Sequence, residues 1–364
     1  MTLAQRFIES FQDDMGALGL LEPTHEPRVS QCIEDIVAVI QSLVERGHAY
    51  AAEGSVWFDV TSFPAYGKLS GRKVEDMRSS AETMAGKKSP QDFALWKAAK
   101  PSDEAVGAAW DSPWGRGRPG WHLECSVMSI AELGETLDIH MGGEDLVFPH
   151  HENEIAQSEG VTGKTFVRHW VHVKHLVVEG EKMSKSLGNF YTVHELLDEF
   201  PGETIRLALL KTHYRQPLDF TKDGLAEAKR ELDGFYGALR GVDASAEAGQ
   251  ETPDIIEAMS DDLNTPLALS HLHELAGDLN KAEGGQKPEA ASRLLSAARL
   301  LGLLGQDPEA WFKGEASEGG LDDATIDALI AERDRTRENK EFKRGDEIRD
   351  QLDARGILLE DGAQ

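Results

Sequence analysis

Leu3, Phe7, Ile8, Phe11, Met15 and Leu18 recur three and four apart, the spacing that gathers apolar side chains on one side of a helix. Pro23 and Pro27 break the pattern, so an amphipathic helix over residues 3–18 is predicted, with an apolar face that needs a partner. A second helix is predicted from about Arg28 to Arg46, stopped by Gly47. Tyr50 to Val60 predicts a hairpin turning at Glu53 and Gly54. Residues 61–120 are rich in Gly, Pro, Ser and Trp, which predicts irregular structure with short strands. From Leu137 the texture changes: apolar runs at Leu137 to Ile139 and Trp170 to Val178 flank a helical stretch that starts near Pro149. Strand, helix, strand in that order suits a parallel sheet. Beyond Val193 the periodicity is helical almost to the end, with breaks at Gly241 to Thr252, Gly284 to Pro288 and Gly314 to Gly320 that read as linkers.

Composition narrows the class. A chain of 364 residues, 40% of them hydrophobic, can build more than one core, which predicts a multidomain globular protein. No apolar run approaches the roughly 18 residues a membrane span needs. Arg6, Glu9, Asp13 and Asp14 stand where a secretory signal is apolar, so a cytoplasmic location is expected. Two cysteines, Cys32 and Cys125, exclude a disulfide scaffold and any CxxC pattern. Cys32 shares a helical stripe with Val29, Ile36 and Ile40 and reads as a small buried hydrophobe. The net charge of -27 counts against a polyanionic partner in total, but a local basic face could still bind one.

Two stretches carry chemistry. Glu181-Lys182-Met183-Ser184-Lys185-Ser186-Leu187-Gly188-Asn189 follows a predicted strand at Leu176 to Val178. Small polar residues around two lysines make a loop whose ammonium groups can meet the charge that builds on a triphosphate; without further context such a loop is more often a solvated turn. The second constellation comprises Gly117 to Ser126, with Trp121, His122 and Cys125, then Asp138-Ile139-His140, then Phe148 to Glu154, with His150 and His151. Pro149 suits the first position of a helix, from which His150 and Glu154, four apart, project on one face. One thiolate, one imidazole and one carboxylate are a credible zinc set, although each residue singly reads as well as core or surface.

The run KMSKS at 182–186 resembles in full the signature loop of class I aminoacyl-tRNA synthetases. The stretches GRPGWHLECS and FPHHENEIAQS resemble the cysteinyl-tRNA synthetases, as do residues 90–97, Trp114-Gly115, His213-Tyr214-Arg215, residues 261–266 and residues 346–352. The resemblance implies an α/β fold: a partial Rossmann-type parallel sheet with an insertion domain, then an all-α helical bundle and a small C-terminal domain. Its implied segments are 1–110 (insertion), 111–200 (second Rossmann half with zinc ligands and KMSKS loop), 201–313 (bundle) and 321–364 (anticodon side). It further implies ATP-dependent activation of L-cysteine and transfer to tRNA(Cys) by a monomer, with ATP used together with magnesium. Lys185 would contact ATP, assisted by Lys182. In that family zinc is held by two cysteines, a histidine and a glutamate, three of which match Cys125, His150 and Glu154. Trp121 would wall the amino-acid pocket, while His122, His140 and His151 would orient ligands or stabilise the bound sulfur. Arg333, Arg337, Lys340 and Arg344 would line one face for RNA if a single helix runs through them.

Departures from the family pattern are also expected to matter. The family's first Rossmann half, with a fourth zinc ligand and the HIGH motif, has no counterpart here, so this chain alone is expected neither to activate cysteine nor to hold metal tightly. Met141 and Glu144 stand where the family has a glycine and an uncharged residue. Two other readings remain: a ligase joining cysteine to a small amino sugar, and a non-catalytic paralogue that binds tRNA or protein. The helices from Asp254 onward speak against the first, and the joint presence of Lys185, Cys125, His150 and Glu154 against the second.

Overall fold

The computed structural model describes residues 3–74, 86–183, 187–244, 252–313, 323–353 and 359. The first predicted helix is α1 (Leu3–Ala17). Part of its apolar face stands in solvent, with Leu3, Phe7 and Phe11 each more than half exposed, while Ile8 and Met15 are half-buried and Leu18, just beyond the helix, is buried. A 3-10 turn, Val29–Gln31, leads into α2 (Ile33–Glu45), where Ile36, Ile40 and Leu43 are fully buried. Cys32 is half-buried and packs against the same core.

The hairpin forms as read, with β1 (Ala49–Ala52) antiparallel to β2 (Ser55–Phe58). Glu53 and Gly54, at φ 52° and 76°, make a two-residue turn in which both positions are left-handed, the geometry that matches strand twist. β3 (Phe93–Ala98) extends this sheet; α3 (Pro101–Ala105) follows, and β4 (Gly117–Pro119) completes the order β1-β2-β3-β4. Phe58, Leu95 and Trp96 from the sheet bury against Ile36, Ile40 and Leu43.

α4 (Trp121–Leu133) then packs Leu123 and Val127 into that core. β5 (Leu137–Gly143), α5 (Glu152–Thr162) and β6 (Val167–Val173) give the expected parallel pair, in register from Leu137 opposite Val167 to Gly143 opposite Val173. Leu137, Ile155, Phe166 and Val167 seal one side. Ile139 and Met141 are 59% and 56% exposed, unlike the inward residues of a parallel sheet covered on both faces.

The apolar run at 170–178 is two strands rather than one, because the chain leaves β6 at Lys174, whose amide bonds Tyr214, before β7 (Leu176–Val178) begins. β8 (Glu181–Lys182) turns back on β7, α6 (Val193–Leu197) and α7 (Gly202–Leu210) follow, and β9 (Leu218–Asp219) joins β7 in parallel. The remainder is helical: α8 (Lys222–Leu239), α9 (Pro253–Ser260), α10 (Thr265–Lys281), α11 (Lys287–Leu300), α12 (Pro308–Lys313), α13 (Asp323–Glu338) and α14 (Phe342–Asp353). The break read at Gly284 is a 3-10 turn that runs directly into α11, and the break at 314–320 and part of that at 241–252 lie outside the described residues.

Two compact units result: residues 1–229 with 253–271, and residues 230–252 with 272–364. Within the second, Tyr236 stacks on Trp311 with ring centroids 4.5 Å apart, and Trp311 Nε1 donates to Asp233 at 2.7 Å. The proposed basic face on one through-running helix is not formed. The helix stops at Glu338, Lys340 turns at φ 62°, Arg333 is buried, and Arg344 sits on α14 bound to Glu332.

Candidate metal centre

The site is assembled where α4 and α5 begin. Gly120, the residue before α4, lies so close to β3 that a Cβ there would sit 2.0 Å from the carbonyl oxygen of Ala94. Glycine is therefore what lets α4 start against the sheet and place Trp121, His122 and Cys125 within its first turns. The chain before α5 departs from the expectation of a helix opening at Pro149. Phe148 is extended (φ -141°, ψ 129°), as residues before proline tend to be, the Phe148-Pro149 bond is cis, and His150 and His151 lie in the turn that precedes α5.

Buried polar contacts hold this turn. The Glu152 carboxylate, fully buried, accepts the backbone amides of Gly67 (2.9 Å), Leu69 (3.4 Å) and Ser70 (2.8 Å). Tyr66 donates its hydroxyl to Asn153, and Ser126 donates to Gln157 at 2.7 Å, tying α4 to α5. Nothing in local sequence pattern marks Glu152 for this task, since its partners are more than eighty residues away.

Cys125, His150 and Glu154 converge, with one ligand atom from each lying within 4.8 Å of the others. His150 Nε2 is 2.8 Å from Glu154 Oε1, and His140 Nε2 is 3.0 Å from Oε2. Both oxygens are buried, yet neither receives a well-directed hydrogen bond. Burial raises the Glu154 carboxyl, but the imidazoles of His140 and His150 outweigh it and hold the group down at about 2. The Cys125 thiol is pushed up to about 12, by burial first and then by the charges of Glu154 and Glu124. Without a cation it keeps its proton, and an ion would displace that proton on binding. Soft sulfur, imidazole nitrogen and an ionised carboxylate with free lone pairs form a donor set that suits zinc bonds of about 2.0–2.3 Å. The residues fit the metal.

His122 Nδ1 meets His150 Nδ1 at 2.7 Å, so the ring that faces Glu154 is held from its other side. Trp121 is 57% exposed, which removes the core-packing alternative; its ring stacks on His150 with centroids 4.3 Å apart. His151 is buried and held near 4, mainly by desolvation, and its Nδ1 meets His172 Nε2 at 2.8 Å. His172, whose own value is lowered chiefly by burial, escaped the sequence reading. It stands next to the last residue of β6, and the carboxyl ends of parallel strands are where such folds bind ligands. Glu144 pairs with Lys174 and also with His175 at 3.5 Å. Lys182 closes the β7–β8 hairpin opposite Val177. Its side chain and residues 184–186, Lys185 among them, lie outside the described residues.

Comparison with known proteins defines the class. Residues 1–230 match the model of the class I (C) tRNA synthetase catalytic domain, and residues 254–306 match the DALR domain. A solved methionyl-tRNA synthetase from Mycobacterium tuberculosis shares the fold, with a TM-score of 0.52 at 14% identity over 82% of this chain and 76% of that one. The chain is thus a class I tRNA synthetase by fold and domain. It belongs to the cysteine-tRNA ligase family. The curated cysteine-tRNA ligase of Paramagnetospirillum magneticum is 55% identical over 99% of this chain and 79% of its own length, and that of Rhodospirillum centenum is 54% identical over 99% and 78%. Among the described residues no helix is long and apolar enough to cross a membrane.

Proposed function

We propose that this chain serves the activation of L-cysteine with ATP and magnesium and its transfer to tRNA(Cys), with cysteine selected through a zinc centre to which Cys125, His150 and Glu154 contribute ligands. The observation that carries this reading is the convergence of those three donors, within 4.8 Å, beneath Trp121 and beside His122. Zinc bound there supplies a soft Lewis acid for the substrate's thiolate, which a serine hydroxyl cannot replace. The chain's own residues do the rest. His122 fixes the plane of His150, the exposed Trp121 ring walls the approach, and His140 lies against the carboxylate that the metal needs ionised. Lys182 and Lys185, in the KMSKS run, are the groups assigned to the triphosphate.

The relatives match along 99% of this chain, helical unit included, which favours tRNA over a small amino-sugar acceptor and a ligase over a binding paralogue. The test is zinc affinity together with cysteine-dependent exchange of pyrophosphate into ATP, on the native protein and its Cys125→Ser variant. Both are expected to be lower in Cys125→Ser than in the native protein. Exchange that is indifferent to cysteine, or native zinc affinity in the variant, overturns the reading.

A further inference from the structure

Glu154 has two carboxylate oxygens, and the centre described above uses Oε1, which faces His150. Oε2 lies 3.0 Å from His140 Nε2, and one ligand atom from each of His140, His151 and Glu154 also falls within a 4.8 Å group. The two triads share Glu154 and no other residue. Each contains a histidine whose Nδ1 is engaged by a further histidine outside the triad: His122 on His150 at 2.7 Å and His172 on His151 at 2.8 Å. Metal-ligating imidazoles are commonly held through their other nitrogen in this way, which leaves Nε2 for the ion. Glu154 is fully buried, and neither of its oxygens receives a well-directed hydrogen bond. Each oxygen of this buried carboxylate thus faces an imidazole nitrogen within a group of possible ligand atoms.

We propose that Glu154 bridges two cation positions, the second formed by Oε2 with His140 and His151 and suited to a borderline divalent ion such as zinc or cobalt. The inference rests on the reading of Cys125, His150 and Glu154 as the first position. One carboxylate and one thiolate then face two dications, so the second ion meets uncompensated positive charge and binds more weakly than the first. It fills only when metal exceeds one equivalent. With both positions filled, His140 and His151 are withdrawn from substrate, which makes excess metal an inhibitor of the reaction proposed above.

The test is an anaerobic titration of the metal-free native protein with cobalt(II), reading bound ions by equilibrium dialysis and the near-ultraviolet thiolate-to-cobalt band by absorbance. Two equivalents should bind, and only the first should raise the band. The double variant His140→Gln with His151→Gln should keep the band and bind one equivalent. Cys125→Ser should lose the band and still bind one. Saturation of the native protein at one equivalent, two equivalents or a lost band in the double histidine variant, or no ion in Cys125→Ser overturns the proposal. A native protein that binds cobalt without the band would instead defeat the first position, so the two failures are distinguishable.

Discussion

His150 Nε2 stands 2.8 Å from Glu154 Oε1 while its Nδ1 is met at 2.7 Å by His122, so the ring is held through Nδ1 with Nε2 turned to the carboxylate before any ion arrives. This makes His122 a positioning residue. Removing it frees the imidazole to turn about its Cβ–Cγ bond, and the ion then has to order a ligand that was already ordered. His122→Ala is expected to lower zinc affinity by about 10–100-fold, the usual effect of losing such a partner. His122→Asn, which can still bond Nδ1, should recover part of it. Competition with a chromophoric chelator reads the affinity, and unchanged values for both variants would sink the assignment.

Glu152 is one residue from Asn153 and two from Glu154, and it anchors the loop at 67–70 by accepting three backbone amides in a fully buried position. Glu152→Ala strands those donors. Each unsatisfied buried group costs about 1–3 kcal/mol, so a loss on the order of 3–5 kcal/mol in unfolding free energy is expected after partial relaxation. Glu152→Gln keeps one acceptor oxygen and should lose less. Urea unfolding of the metal-free protein measures both, and equal stabilities for wild type and Glu152→Ala would contradict the role given to this carboxylate.

How much of this is legible in sequence depends on how far apart the partners lie. The hairpin at Glu53 and Gly54 and the succession β5, α5, β6 are readable because turn chemistry and periodicity act over a few residues. Cys125, His150 and Glu154 are readable as a set only because their types suit one ion; that they share a space is a property of α4 and α5 packing together. Helical periodicity cannot foresee that Phe148 is extended, nor that Arg333 is buried and Arg344 belongs to another helix. His172 and Glu152 act through residues 21 or more positions away, and nothing local in their surroundings signals it. For Lys182 and Lys185 the reading rests on the motif alone.

Gly120 has φ -75° and ψ 138°, an ordinary extended backbone, so glycine is present for space and not for conformation. A methyl group there would lie 2.0 Å from the Ala94 carbonyl oxygen and 2.9 Å from its carbon, both backbone atoms that cannot swing aside. Gly120→Ala must push the start of α4 off β3, and Trp121, His122 and Cys125 move with it. Overpacking of this kind typically costs about 1–3 kcal/mol. The distinguishing expectation is functional: zinc affinity falls more than the modest stability loss alone explains, because Cys125 is carried away from Glu154. Equilibrium dialysis alongside thermal unfolding checks it, and a variant that is destabilised yet binds zinc normally would refute the positioning argument.

Asp262 supplies a case with a definite pH sign. Its carboxylate accepts from Arg215 Nη2 at 3.0 Å and from the Tyr214 hydroxyl, and these bonds, Arg215 first, hold its pKa down from 3.8 to about 2. The unfolded chain therefore binds more protons than the folded one between those values, and stability rises with pH across that window. What the contact contributes is complete above about 4, the ordinary aspartate value, and is lost as pH falls through 2. Asp262 lies in solvent, so the contribution is modest and screened by salt. Asp262→Asn is expected to flatten the acid limb of the unfolding free energy between pH 4 and pH 2 at low salt, while leaving the neutral-pH slope unchanged. The difference from wild type should shrink at high ionic strength. Urea unfolding at a series of pH values measures the slope; parallel acid limbs for the two proteins at low salt would show that Asp262 titrates alike in the folded and unfolded chain.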